Sequence, residues 1–297
     1  MQLKATLIGS IAIFLWSVLA LFTSITGAIP AFQLLFLTFL IGGLVGLGFL
    51  IKKGVVLDDI KSHPMKVWLI SIGGLFGYHF FYFTALGKAP VADASLIAYL
   101  WPLLIVLLSP LVLKDKLRWY HLGGAMLAFS GAAYLLISKG EFLFSSDFAV
   151  GYLMAFFSAL IWSVYSILNR TINKVGTEMV AFFCLGTALL GGICHVILET
   201  WVSPDVYQWL AIAALGVGPV GAAFYAWDYG TKHGNIRLLG VFSYAAPLLS
   251  TIILTVTGHA VFTWGLMTSC LLIVGGALLA SIDVFKLNIK KAPGRAP

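Results

Sequence analysis

The chain has 297 residues, of which 61% are hydrophobic and only 10% are charged, and its formal net charge is +7. Soluble domains carry about 25% charged residues, so this composition excludes a water-soluble fold. Apolar runs of roughly 20 residues recur along the chain, and such a run crosses a hydrocarbon core about 30 Å thick. Because backbone polar groups in lipid must be satisfied within the segment, these runs predict an all-α integral membrane protein.

Ten transmembrane helices are predicted, separated by segments that contain glycine, proline or charged residues. The predicted spans cover residues 5–26, 30–51, 66–87, 91–113, 119–138, 149–169, 178–200, 207–230, 236–257 and 264–284. The first run is longer than the apolar region of a signal peptide, and it ends in Gly-Ala-Ile-Pro rather than in a cleavage site. It is therefore predicted to be a retained helix.

The basic residues predict how the spans are oriented. If the N-terminus lies in the cytoplasm, the cytoplasmic segments hold 16 of the 18 lysine and arginine residues, and the opposite side holds only Lys88 and Lys139. Cytoplasmic loops of membrane proteins carry such an excess of positive charge. Both termini are therefore predicted to be cytoplasmic. The positive charge would face anionic lipid headgroups, so no nucleic acid partner is predicted.

The two halves of the chain resemble each other. A shift of 145 residues places Tyr99 on Tyr244 and Pro102 on Pro247, and one further residue of slippage places Trp16 on Trp162. Each half has five predicted spans, an odd number, so the second half enters the membrane in the opposite orientation. We therefore predict two inverted five-helix repeats, residues 1–142 and 143–297. Inverted repeats are typical of secondary transporters, which bind substrate near the midplane between the repeats.

Polar aromatic side chains lie deep inside several predicted spans. A buried phenol or indole needs a hydrogen-bond partner, so it faces either a polar cavity or a neighbouring helix. For any single residue, helix packing explains the position as well as a cavity does. For a set that recurs in both halves, we expect an aromatic-lined cavity that binds substrate. Its predicted lining is Trp16, Tyr78, His79, Tyr82, Tyr99, Trp101, Trp162 and Tyr244.

Three ionisable residues are considered for function. His79 lies near the middle of a predicted span, and an imidazole there can bind a carboxylate or move a proton. The alternative for His79 is a neutral ring bonded to another helix. Asp93 is interpreted as complementing the N-terminus of a helix. Asp228, four residues before Lys232, is interpreted as a member of an ion pair.

Glycine and proline residues recur at matching places in the two halves, which predicts hinges. A proline inside a span removes a backbone hydrogen bond and kinks the helix, which here would free the carbonyls of Ala98 and Ser243. Close helix packing through small residues is the alternative explanation. The candidate hinge residues are Gly73, Gly74, Pro102, Gly218, Pro219 and Pro247.

Several classes of function lack their motifs. The chain has no phosphate-binding loop, no His-Glu-x-x-His and no Gly-x-Ser-x-Gly, so an intramembrane enzyme is disfavoured. Cys184, Cys194 and Cys270 show no metal or disulfide spacing, and neither a metal nor a cofactor is predicted. With no basic or acidic residue at midplane, the predicted substrate is a small neutral or zwitterionic molecule. A carrier of another metabolite or drug, with a nucleotide-sugar carrier less favoured, and a non-transport scaffold remain alternatives.

The motifs Trp-Ser-Val, Gly-Lys-Ala-Pro-Val-Ala-Asp-Ala and Tyr-Leu-Trp-Pro resemble the drug/metabolite transporter superfamily of the EamA type. The resemblance covers essentially the whole chain, and Tyr78-His79, Tyr82 and Tyr99-Leu-Trp-Pro102 make it most similar to members that export aromatic amino acids. The resemblance implies export of aromatic and other neutral amino acids across a bacterial inner membrane by alternating access, with no obligate protein partner. It leaves the energy source open.

Overall fold

The computed structural model describes residues 2–27, 29–52, 63–113, 116–138, 145–256 and 263–282. Within these ranges the chain is helical, with short turns and no β-strand. A π-helix covers Gly216–Ala222. The α-helices are α1 (Gln2–Ser17), α2 (Leu19–Thr26), α3 (Ala31–Lys52), α4 (Met65–Leu86), α5 (Val91–Ala98), α6 (Trp101–Leu113), α7 (Trp119–Ile137), α8 (Ala149–Asn169), α9 (Val180–Leu198), α10 (Val206–Leu215), α11 (Ala223–His233), α12 (Ile236–Ser243), α13 (Ala245–Val256) and α14 (Trp264–Ala280).

The chain is a multi-pass helical membrane protein. In the described ranges, eight helical stretches are long and apolar enough to cross a bilayer, and they lie at the first eight predicted spans. A ninth candidate consists of Ile236–Ser243 and Ala245–Ile253, which are bent by 40° relative to each other. At the tenth predicted span lies α14, an apolar helix of 17 residues, whereas a span usually needs about 20. The count of ten spans stays a prediction.

Some predicted features lie outside the described residues. They are Lys139, residue 257 at the end of the ninth span, residues 283–284 at the end of the tenth, and the boundary between residues 142 and 143.

Four helix pairs make the most extensive contacts in the bundle: α1 with α11, α3 with α9, α4 with α8, and α7 with α14. In each pair, one helix comes from before residue 142 and the other from after it. The two halves of the chain therefore interleave instead of forming separate bundles, and their principal packing surfaces are each other.

Glycine residues allow two of these pairs to approach closely. A Cβ atom added at Gly124 in α7 would lie 2.6 Å from the carbonyl oxygen of Gly276 in α14, and one added at Gly276 would lie 2.5 Å from that of Gly124. A Cβ atom at Gly9 in α1 would lie 2.9 Å from the Cα atom of Gly230 in α11. Close backbone approach through small residues is a common way for helices to pack in membranes.

Two of the predicted spans are broken at matching positions. The helix ends at Ala98 and resumes at Trp101, just before Pro102, and a second break falls at Tyr244, three residues before Pro247. A proline has no N–H with which to bond to the carbonyl four residues earlier, and its ring crowds that carbonyl, so an interior proline kinks or breaks a helix. The prolines thus account for both breaks, and the breaks lie where the sequence predicted kinks.

We expect Gly276→Ala to destabilise the protein by about 1–3 kcal/mol, because its methyl group would press against the backbone of α7. Gly275→Ala is the matched control, since its Cβ atom would lie 3.6 Å from the nearest neighbour, Leu127 Cδ2. Alanine also has the higher helix propensity, by about 1 kcal/mol. Thermal unfolding of both variants in detergent measures the difference. Equal melting temperatures would contradict the close packing of α7 on α14.

Candidate functional site

A cavity of about 220 Å³ lies between α1, α4, α8, α11 and the two broken spans. Seven of the eight residues that the sequence predicted for a cavity wall line this one, and they are joined there by apolar and small residues. No lysine, arginine, aspartate or glutamate is among the lining residues. The lining is Trp16, Leu19, Tyr78, His79, Tyr82, Ala98, Tyr99, Trp101, Trp162, Pro219, Val220, Phe224, Ser243 and Ala246.

One side of the cavity is a cluster of indole rings. The ring of Trp16 lies 6.3 Å from that of Trp101, 5.7 Å from that of Trp162 and 5.1 Å from that of Trp227, measured between ring centroids. The rings of Trp101 and Trp162 meet that of Trp16 edge to face, an arrangement that aromatic pairs prefer, and the ring of Trp227 is tilted by 53° relative to that of Trp16. Trp227 is fully buried behind Trp16 and donates its Nε1–H to Ser166 Oγ at 3.1 Å. Trp227 does not line the cavity itself, and it packs behind the three indoles that do.

The π-helix positions the Trp16 ring. In a regular α-helix the N–H of Ala223 would bond to the carbonyl of Pro219, but here it bonds to that of Gly218. The Nε1–H of Trp16 donates to the Pro219 carbonyl at 3.1 Å. This bond satisfies the indole N–H and fixes one cavity wall against another.

Three lining residues come from α4. The rings of Tyr78 and Tyr82 stack with centroids 5.8 Å apart and planes 7° apart, as expected for residues four apart on a helix. His79 Nδ1 lies 2.7 Å from the carbonyl oxygen of Leu75. Because a carbonyl only accepts, this contact places the ring hydrogen on Nδ1, and a neutral ring then has Nε2 as an acceptor.

The phenol groups on the cavity wall differ in their partners. The hydroxyl of Tyr82 lies 3.2 Å from Ser95 Oγ, within hydrogen-bond distance. The hydroxyls of Tyr78 and Tyr99 have no hydrogen-bond partner among the residues that the structure describes. Both are therefore able to bond to a molecule in the cavity.

Tyr244, predicted as the counterpart of Tyr99, does not line the cavity. It is fully buried beside Phe129, with ring centroids 5.9 Å apart. The second broken span lines the cavity with Ser243 and Ala246 instead. Successive side chains point in different directions, and a helix break alters that pattern. Residues at matching positions of the two halves therefore need not both face the cavity.

Phe224 lines the cavity from α11 but is not among the residues predicted from the sequence. Its ring stacks on that of Phe39 at 5.3 Å and lies 6.2 Å from that of His79. Val220, four residues earlier on the same face, also lines the cavity. In an apolar span, the sequence does not distinguish an apolar side chain that faces a cavity from one that faces lipid. Only the four-residue spacing between Val220 and Phe224 indicated that the two share a helix face.

The hinge candidates fall into two groups. Pro102 and Pro247 lie at the helix breaks, and Pro219 lies in the π-helix and lines the cavity. Among the glycines, Gly74 packs against the ring of Tyr165, where an added Cβ atom would clash. Gly73 and Gly218 have open space beside their Cα atoms. Any movement at these positions stays a prediction.

Both aspartates have partners in the structure. Asp93 lies in the first turn of α5, as predicted, and also accepts a hydrogen bond from the hydroxyl of Tyr152 at 2.8 Å. Asp228 forms the predicted ion pair with Lys232, and the Nζ–Oδ1 distance is 2.8 Å.

A second cavity, of about 480 Å³, lies between α3, the short segment that precedes α9 and the π-helix. It contains none of the predicted lining residues, and Phe49 and Val217 on its wall are exposed on the surface of the bundle. Among the described residues, no group of three histidine, cysteine, aspartate or glutamate side chains is placed to hold a metal ion.

The fold and the cavity together define a polytopic membrane protein with a small aromatic-lined cavity in its helical bundle. The sequence profile of the EamA-like transporter family matches residues 3–137 and again residues 149–282. The chain therefore belongs to the EamA-like transporter family, and the resemblance drawn from its motifs is confirmed.

Similar proteins include named exporters. The chain is 53% identical over 280 residues to the aromatic amino acid exporter YddG of Ancylobacter novellus, which covers 94% of this chain and 97% of that protein. It is 27% identical to YddG of Salmonella typhimurium, over 93% and 96% of the two chains. It is 26% identical to the pseudopaline exporter CntI of Pseudomonas aeruginosa, over 97% of each. A crystal structure 51% identical in sequence matches with a TM-score of 0.92, covering 97% of this chain and 99% of that one.

We expect Trp16→Phe to destabilise the protein by about 1–3 kcal/mol, because the Pro219 carbonyl would lose its indole donor inside the bundle. Trp264→Phe is the control, since Trp264 is 79% exposed at the start of α14. Thermal unfolding in detergent compares the two variants. A drop no larger for Trp16→Phe than for Trp264→Phe would contradict the bond to Pro219.

Proposed function

We propose that this chain exports aromatic and other neutral amino acids across a bacterial inner membrane, and that the central cavity binds them. The observation that carries the proposal is the cavity wall, which combines aromatic rings with two unpartnered phenol hydroxyls and no charged lysine, arginine, aspartate or glutamate. The name of the relative that is 53% identical supports the same substrate class.

The proposed binding mode follows from the chemistry of the wall. Trp16, Trp101 and Trp162 offer ring faces and edges to an aromatic or aliphatic side chain. The hydroxyls of Tyr78 and Tyr99 bond to the carboxylate or the ammonium of the amino acid. Tyr82 and His79 complete the α4 side of the wall.

Backbone carbonyls add acceptors for the ammonium group. The prolines at the two helix breaks leave the carbonyls of Ala98 and Ser243 without their regular partners, and both residues line the cavity. The two positions are related by the 145-residue shift between the halves. Unwound backbone at the midplane of a transporter is a common place for cation binding.

We also propose that residues 1–142 and 143–297 form two inverted five-helix repeats. The family profile matches once in each half, which supports this division. The principal helix pairs support it too. If each helix is replaced by its counterpart in the other half, the α1–α11 pair becomes the α8–α4 pair. The α3–α9 and α7–α14 pairs each map onto themselves.

Individual contacts between helices also recur when each residue is replaced by its counterpart in the other half. The close approach of Gly124 to Gly276 corresponds, after the 145-residue shift, to that of Ser269 to Gly131, where an added Cβ atom at Gly131 would lie 3.0 Å from the Ser269 carbonyl oxygen. The contact of Gly9 with Gly230 corresponds, with one residue of slippage, to Ala155 and Ala85. Those two alanines are fully buried in one cluster.

In this proposal both termini are cytoplasmic, and membrane lipids are the partners of the basic loops. The cavity opens alternately to the two sides of the membrane, and Gly73, Gly74, Pro102, Gly218, Pro219 and Pro247 are the candidate hinges. Neither a cofactor nor an obligate protein partner is required.

Export of another small metabolite is the second candidate. It is favoured by the relative named as an exporter of pseudopaline, which is 26% identical over nearly the whole chain. A nucleotide sugar or another phosphorylated molecule fits less well, because the wall offers no lysine or arginine. The relatives named above are exporters, which favours transport over an enzyme or a scaffold.

Counterflow in proteoliposomes tests the function. With unlabelled phenylalanine inside and labelled phenylalanine outside, we expect uptake without an ion gradient, and competition from tryptophan and threonine. Tyr99→Ala and His79→Ala should reduce the apparent affinity by roughly tenfold, since a lost aromatic contact of about 1.4 kcal/mol has that effect.

Tyr134→Ala is the matched control, because Tyr134 is 45% exposed on the surface of α7. Its transport should equal that of the unaltered chain. Absence of counterflow with any neutral amino acid, in correctly inserted protein, would overturn the substrate assignment. Full transport by Tyr99→Ala and His79→Ala would overturn the site.

A further inference from the structure

A group of buried polar side chains lies outside the cavity, at the end of the bundle where α11 ends and α12 begins. We call this the Lys232 end, and the opposite one, where α4 ends and α5 begins, the Gly87 end. Asp228 and Lys232 pair within α11, with Nζ 2.8 and 2.9 Å from the two carboxylate oxygens. Their side chains are 1% and 0% exposed, respectively.

The pair also binds the segment that connects α8 to α9. Asn169 Nδ2 donates to Asp228 Oδ1 at 3.0 Å, and Thr177 Oγ1 donates to Asp228 Oδ2 at 2.7 Å. Lys232 Nζ donates to the Val175 carbonyl at 3.0 Å. The pair therefore joins α11 to the end of α8 and to the chain that follows it.

These bonds lie behind the indole cluster, as seen from the cavity. Asp228 directly follows Trp227, whose ring packs against Trp16 and Trp162. Asn169 lies seven residues after Trp162 on α8, which is about two turns of helix. A path from the cavity to the Lys232 end between α8 and α11 would have to separate the indoles and then break the bonds that join the ion pair to Asn169, Val175 and Thr177.

The corresponding point of the Gly87 end has different chemistry. Under the proposed repeat, α4 corresponds to the span that contains α11, and the 145-residue shift places Phe83 at Asp228 and Gly87 at Lys232. An ion pair cannot form there. Next to the cavity at this end, α4 is joined to α5 by the bond between Tyr82 and Ser95.

We propose that Asp228 and Lys232, with Asn169 and Thr177, form a lock that holds the cavity closed at the Lys232 end. Release of the lock opens that end to substrate. The inference rests on the proposed function, because a carrier has to open at both ends whereas a scaffold does not.

Two features distinguish a lock from ordinary packing. A buried ion pair gains little over well-packed apolar residues, because desolvation of the charges offsets their attraction. Its charges are rehydrated if the helices separate, so it suits a contact that opens and closes. Within the part of the chain that the structure describes, the Oδ1 atom of Asn169 is buried without a hydrogen-bond partner, and a permanently closed network would be expected to satisfy such an acceptor.

Thiol labelling with a membrane-impermeant reagent tests the lock in the full-length chain, in sealed vesicles of either orientation. The three native cysteines are replaced by alanine. One reporter, Ser166→Cys, lies fully buried on α8 between Trp162 and Asn169, where the native hydroxyl accepts a hydrogen bond from Trp227 of α11. The other, Ser243→Cys, lies on the cavity wall.

We expect Asp228→Asn to increase labelling of the Ser166→Cys reporter from the Lys232 end by on the order of tenfold. Labelling of the Ser243→Cys reporter from the Gly87 end should fall, because the population moves from one state to the other. Thr177→Val removes one hydrogen bond and no charge, so it should change both rates in the same directions by a smaller factor. It carries the test if Asp228→Asn does not fold.

Glu178→Gln is the matched control. It also replaces a carboxylate by an amide, next to Thr177 at the same end, but the Glu178 side chain is exposed and takes no part in the bonds to Asp228 or Lys232. Both reporters should label as in the unaltered lock. Labelling rates unchanged by Asp228→Asn or, where that variant does not fold, by Thr177→Val would overturn the proposal.

Labelling needs no substrate, so the lock and the amino acid assignment can be contradicted independently of each other. Changed labelling in a protein without counterflow would overturn the amino acid assignment and support a lock in a carrier of another molecule. Counterflow with unchanged labelling would overturn the lock and support the assignment.

Discussion

The structure depends on how backbone polar groups are satisfied away from water. Regular helices satisfy them internally, and irregular backbone at membrane depth is tolerated only inside protein or against a cavity. The breaks at Tyr99 and Tyr244 and the π-helix all adjoin the cavity. Where the π-helix leaves the Pro219 carbonyl without Ala223, the indole of Trp16 donates to it. These irregular backbone segments therefore all lie at the proposed binding site.

The interleaving of the two halves explains the composition of the cavity wall. Trp16 and Tyr99 come from the first half of the chain, and Trp162 and Phe224 come from the second. Because each principal helix pair joins the halves, a movement of one half relative to the other changes every wall of the cavity together. A site built in this way suits a cavity that changes its opening as a unit, as carriers of alternating access do.

The sequence predicted those features whose chemistry differs from that of a lipid-facing helix. Polar aromatic residues such as Trp16 and Tyr78 stand out in an apolar span because each carries a group that needs a partner. Phe224 has no such group, so neither hydropathy nor residue type distinguished it from a phenylalanine in lipid. Tyr244 lies at the predicted helix break but outside the cavity, because the repeat specifies position along the chain and a break alters side-chain direction. Helix positions were predictable from apolar runs, whereas the helix pairs depend on contacts between distant segments.

The polar group around Asp228 and Lys232 was likewise only partly predictable from the sequence. Their spacing predicts an ion pair, but Asn169 and Thr177 come from another part of the chain, and only the fold brings them to the carboxylate. On an inverted repeat with identical side chains, the states open at one end and at the other would have equal free energy. In this chain Phe83 stands where the repeat places Asp228. Under the proposed repeat, the preference for one state therefore arises from side chains that differ between the halves, and the backbone supplies only the two alternatives.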